Sequence, residues 1–98
     1  MPFKVLRTPE ASQQYQALKD DPALEKRFKA VRKAQALLQQ NPRHPGLNTH
    51  EYSSLKGPNG EKVFEAYAEN KTPGAYRIFW YYGKNKGEII VFAITPHP

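Results

Sequence analysis

The chain has 98 residues, with fifteen Lys and Arg against nine Asp and Glu, three His and no Cys. That length predicts one domain, residues 1–98, burying about 65% of its unfolded surface around a single core. Without cysteine there is no disulfide scaffold, thiol nucleophile or thiolate zinc site, and the scattered histidines give no metal-ligand pair at helical spacing, so no cofactor is expected. A net charge of +6 points to an anionic partner, nucleic acid or acidic protein. With no apolar run of membrane-spanning length and no signal segment, a cytoplasmic protein that stays out of the membrane is expected.

Phe3–Arg7 alternates as a short strand. Thr8-Pro9-Glu10 signals a helix start: a hydroxyl cap, proline at the first helical position and an acid in the first turn. Ala11, Tyr15 and Leu18 then recur at helical spacing as far as about Lys19. Asp20-Asp21-Pro22 breaks this helix and caps a second, predicted from Pro22 to about Gln40. Leu24, Phe28, Val31 and Leu38 form its apolar stripe, with Ala34 and Leu37 beside them, while Lys26, Lys29, Arg32 and Lys33 take the other side. Such a basic run is ordinarily a solvated helix face. Asn41-Pro42 ends the helix.

Arg43–Tyr52, carrying His44, His50 and Glu51, reads as a loop, and Leu55–Gly60 as a tight turn. Lys62–Ala68 alternates, with Phe64 and Ala66 on one face and Val63, Glu65 and Tyr67 on the other. The strongest strand is Pro73–Tyr82, opened by Pro73-Gly74 and rich in aromatic and β-branched residues. Parity puts Tyr76, Ile78 and Trp80 on its core face and Arg77, Phe79 and Tyr81 on the opposite one. Gly83–Gly87 is a hairpin loop and Glu88–Thr95 the last strand. The expected fold is α+β, in the order β-α-α-β-β-β: a mainly antiparallel sheet with two helices on one face. The other face stays open, with Arg77 on it. A permanent cation in mid-strand either binds an anion such as phosphate or pairs with a neighbouring Glu.

Leu55-Lys56-Gly57, Tyr76-Arg77-Ile78-Phe79-Trp80 and the hydrophobic strand Ile89–Thr95, in this order, resemble motifs of the RelE/ParE superfamily of toxins from toxin–antitoxin pairs. The resemblance spans essentially the whole chain, most closely from Leu55 onward. It implies either an endoribonuclease that cleaves mRNA on the ribosome, as in the RelE and YoeB-like branch, or a ParE-like inhibitor of gyrase. A non-catalytic relative that only binds protein partners is a further alternative. It also implies a cognate acidic antitoxin and a monomer or small homo-oligomer.

Metal-free RNA cleavage needs a base for the 2′-hydroxyl, an acid for the leaving 5′-oxygen and a cation for the phosphate. Matched to the YoeB-like members, Glu51, Arg77 and His97 take these roles. Parity makes Glu65 a rival to Glu51, and it also carries His97 from Thr95 onto the face of Arg77, although a terminal histidine is commonly frayed. Lys56, Lys62, Lys71 and Arg43 are candidates for phosphate contacts, and Tyr67 and Tyr81 for stacking on a splayed base. The chain departs from RelE in lacking its basic second strand and basic ending: here stand Val63–Tyr67 and Thr95-Pro96-His97-Pro98.

Overall fold

Thr8 caps the first helix as its hydroxyl predicts, accepting a hydrogen bond from the Ala11 N–H at 3.2 Å. The computed structural model describes residues 2–97. It runs β1 (Lys4–Arg7), α1 (Pro9–Asp20), α2 (Glu25–Gln40), β2 (His50–Lys56), β3 (Lys62–Tyr67), β4 (Tyr76–Tyr82) and β5 (Glu88–Pro96). Pro22–Leu24 and Pro45–Leu47 form 3-10 turns, so the second helix begins one turn later than its sequence pattern suggests. No helix among the described residues is long and apolar enough to cross a membrane.

The five strands lie in the order β1-β5-β4-β3-β2, with β1 parallel to β5 and every other pair antiparallel. Both helices pack on one face. Ala11 and Leu18 from α1 and Val31, Ala34 and Leu38 from α2 meet Phe64, Ala66, Ile78, Trp80, Ile89, Val91 and Ile94 from the sheet. The α+β architecture is the expected one, with an additional strand. His50–Lys56, read as loop and turn, pairs with β3 as an edge strand. Its Ser53 and Ser54 carry no strand signature, because an edge facing water needs no apolar alternation.

The turn after β2 explains the glycine of Leu55-Lys56-Gly57. A Cβ on Gly57 would meet the Glu61 carboxylate at 2.4 Å. Backbone N–H groups of Glu61 itself and of Asn59 hold that carboxyl below the usual range. This motif serves the turn.

A bulge in β5 decides what reaches the open face. Phe79 pairs with Ala93 but Trp80 with Val91, so Phe92 is an extra residue. Strict alternation would put Val91 and Ile94 on opposite faces; the bulge brings both to the helix side, 0% and 1% exposed. It also rephases the strand, leaving Thr95 opposite Arg77. The Ile94 N–H donates to the Gln14 side-chain oxygen of α1 at 2.7 Å. Gln14→Ala is therefore expected to cost about 1–3 kcal/mol, the penalty for an unsatisfied buried donor. A urea titration checks this, and an unchanged midpoint would show the bulge to be held by packing alone.

Candidate active site

The open face of β3, β4 and β5 carries one buried carboxylate, that of Glu65, whose residue is 0% exposed. Three cationic or titratable side chains converge on it. His97 Nδ1 hydrogen-bonds Oε2, the Arg77 Nε lies 3.8 Å from Oε2, and His50 Nε2 lies 2.8 Å from Oε1. Sheet register builds the cluster: Glu65 sits opposite His50 on one side and Phe79 on the other, two residue pairs from Tyr67 opposite Arg77 and so on the same face. The His97 backbone N–H donates to the Ala75 carbonyl at 3.0 Å, continuing the β4–β5 ladder past Pro96. The penultimate residue is thus tied into the sheet.

The hydrogen bonds assign the imidazole nitrogens. A carboxylate only accepts, so His97 Nδ1 carries hydrogen and its Nε2 remains available on a side chain that is 47% exposed. His50 Nδ1 donates to the Asn48 carbonyl at 2.9 Å. Its Nε2, though close to Glu65 Oε1, is out of line for a hydrogen bond, which leaves Oε1 buried without an aligned partner. Arg77 Nε is in the same condition. Unsatisfied buried polar atoms are costly, and where native structures keep them they call for a specific reason such as a chemical role.

Arg77 is held on three sides. Its guanidinium carbon stands 3.7 Å from the Tyr67 ring centroid, Nη1 donates to the Glu69 and Tyr76 carbonyls, and Glu65 flanks Nε. Glu69 is fixed in turn: its carboxylate takes the Arg27 Nε of α2 at 2.9 Å and the Tyr76 N–H at 3.0 Å. Tyr52 completes the surroundings, its ring edge-on to Phe79 at 5.2 Å and to His97 at 6.3 Å.

Of the residues singled out from sequence, Glu65, Arg77, His97 and Tyr67 come together. Glu51 does not: it pairs with Phe64, a core-face residue, and is exposed on the helix side. Arg43 also lies on that side, its guanidinium 5.4 Å from the Phe64 ring. Lys56 and Lys62 pair with each other at the far end of β3, roughly 17 Å along the strand from Tyr67 at ~3.4 Å per residue. Tyr81 shares the open face but is only 8% exposed; burial pushes its phenol up, with a further push from Glu61. Lys71 is exposed in the β3–β4 connection with a left-handed φ of 62°. His50 and Tyr52 were missed, because a segment read as loop assigns no side chain to a face.

No protein-family model matches the chain, and no curated protein does. Solved structures do. The archaeal RelE–RelB complex from Pyrococcus horikoshii matches over 98% of this chain and 96% of that one, at 14% identity and a TM-score of 0.65. A YoeB/ParE toxin from Agrobacterium tumefaciens matches over 97% and 99%, at 12% identity and a TM-score of 0.70. The YoeB dimer from Staphylococcus aureus matches over the full length of both chains, at 15% identity and a TM-score of 0.62. The resemblance carried by the strand motifs is borne out in three dimensions: this chain has the fold of the RelE, YoeB and ParE toxins.

Proposed function

We propose that the chain is the toxin of a toxin–antitoxin pair, an endoribonuclease that cleaves mRNA on the ribosome, neutralised in the cell by an acidic antitoxin. The observation that carries this reading is the half-exposed imidazole of His97, held through Nδ1 by a buried carboxylate next to a buried guanidinium. In the proposed reaction Nε2 takes the proton of a ribose 2′-hydroxyl, and the 2′-oxygen attacks the adjacent phosphorus. The P–O5′ bond breaks, leaving a 2′,3′-cyclic phosphate and a 5′-oxygen that is protonated from solvent. Glu65 stabilises the imidazolium through Nδ1, as an orienting group and not as the base, since its side chain is only 1% exposed. Arg77 opposes the charge that gathers on the phosphate oxygens. Fifteen basic residues against nine acidic ones suit both an RNA substrate and an acidic partner, and the P. horikoshii relative was solved as a toxin–antitoxin complex.

Primer extension on cellular transcripts after induction tests the proposal. Discrete new ends inside coding regions are expected from the parent chain and from Glu51→Ala, and none from Arg77→Ala. Arrested growth with intact transcripts would replace this reading with inhibition of a protein target such as gyrase, and harmless expression with a binding-only role.

A further inference from the structure

Beside the cluster lies a second cavity to which the cleavage chemistry assigns no part. β2 begins opposite Glu65, so the end of β3 at Tyr67 has no strand on its outer side. A cleft of about 530 Å³ runs past this open edge, between α2 and the turn at Pro45–Leu47. Ala30, Ala34 and Leu37 of α2 give it an apolar wall, Lys33 stands at its rim, and His44 and Tyr67 close the opposite side.

Two features give the cleft a chemical preference. His44 Nδ1 accepts the Gly46 N–H at 3.0 Å, so the other ring nitrogen must carry the hydrogen and is a donor fixed in direction. A Cβ at position 46 would crowd this contact, standing 3.1 Å from His44 Nδ1. Lys33 is exposed and has no ion-pair partner among the described residues. A flat apolar wall, one oriented ring donor and one unpaired cation match a planar heterocycle that bears an anion. Tyr67, at the unpaired edge of β3, stands between this cleft and the active site: its ring carries the Arg77 guanidinium at 3.7 Å and meets the His50 ring at 5.8 Å.

We propose that this cleft is a nucleotide subsite: it seats the base of a nucleotide flanking the cleaved bond against Ala30, Ala34 and Leu37, within reach of the His44 donor, with that nucleotide's phosphate on Lys33. The assignment rests on the RNA-cleaving reading for its place in the reaction, but binding can be measured without cleavage.

The test is a titration of the isotope-labelled full chain with adenosine, guanosine, cytidine and uridine 5′-monophosphates, followed by backbone amide shifts. Expected are shifts at Ala34, His44 and Gly46 for at least one nucleotide. Lys33→Glu and Ala30→Leu should each weaken binding by roughly tenfold or more, the loss of one favourable contact of ~1.4 kcal/mol. On ribosomes programmed with a defined mRNA, the same two variants should raise KM severalfold while kcat changes little. No response at these amides, or an equal response to inorganic phosphate or to an oligoglutamate peptide, overturns the subsite. Cleavage with an unchanged KM in both variants overturns it while leaving the nuclease standing. Nucleotide binding in the cleft by a chain that cleaves no RNA keeps the subsite and removes the nuclease.

Discussion

The His97→Ala protein is expected to keep its fold and to cleave RNA about 10²–10⁴-fold more slowly than the parent, the usual contribution of a positioned proton-transfer group. The imidazole side chain is 47% exposed, so little packing goes with it. Its backbone bond to Ala75 does not involve the side chain. What is lost inside the protein is one hydrogen bond to Glu65 Oε2, which water entering the vacated space can replace. Stability should therefore fall by no more than about 1–2 kcal/mol. Because the ring stands at the surface, added imidazole should restore part of the rate to His97→Ala. His97→Gln supplies a donor for Glu65 but no basic nitrogen, and should remain inactive. Cleavage of a defined mRNA on programmed ribosomes reads all three, and parent-like rates in both variants would remove His97 from the reaction.

How much of this was legible in the chain differs from strand to strand. In β4 the aromatic and β-branched run gave a dependable parity, and Ile78 and Trp80 are indeed fully buried on the helix side with Arg77 on the other face. The same parity put Glu65 with Arg77. One strand further out it was silent. His50 and Glu51 are neighbours, and since a strand alternates, a single residue of register decides which faces the site. Only pairing with β3 sets that register, through His50 opposite Glu65, and the polar sequence of β2 shows no trace of it. In β5 the obstacle was reversed. From Ile89 to Ile94 every residue is apolar, so nothing marks Phe92 as the extra one, although the phase of everything after it depends on that bulge. The sequence parity for His97 agreed with the structure because it was counted from Thr95, beyond the bulge. The Arg27–Glu69–Arg77 connection joins residues far apart in the chain, and no local pattern announces it.

The second large effect is expected at Glu65, which serves stability and chemistry together. Glu65→Gln keeps the volume and one acceptor oxygen but removes, among the described residues, the only carboxylate within 4.0 Å of the Arg77 guanidinium. Leaving that charge buried without a counter-charge is expected to destabilise the fold by about 3–5 kcal/mol. Taking out the charge as well, in Glu65→Gln combined with Arg77→Met, should recover much of this, because replacing both members of a buried pair by neutral groups is often close to neutral. A double-mutant cycle in urea would show the coupling. Cleavage should follow a different rule. The glutamine amide can donate to His97 Nδ1, which moves the ring hydrogen to Nε2 and leaves no lone pair facing the 2′-hydroxyl. A loss of about 10³–10⁴-fold is expected, as for other orienting carboxylates beneath a catalytic imidazole. The double variant reports on stability alone, since it also lacks the Arg77 cation. The orienting role is read from Glu65→Gln by itself, assayed where it is still folded, and a folded but slow single variant is what a purely structural role for Glu65 could not produce. If Glu65→Gln instead unfolds at the parent's midpoint and cleaves at the parent's rate, the buried carboxylate orients nothing, and the proton-transfer scheme built on it fails.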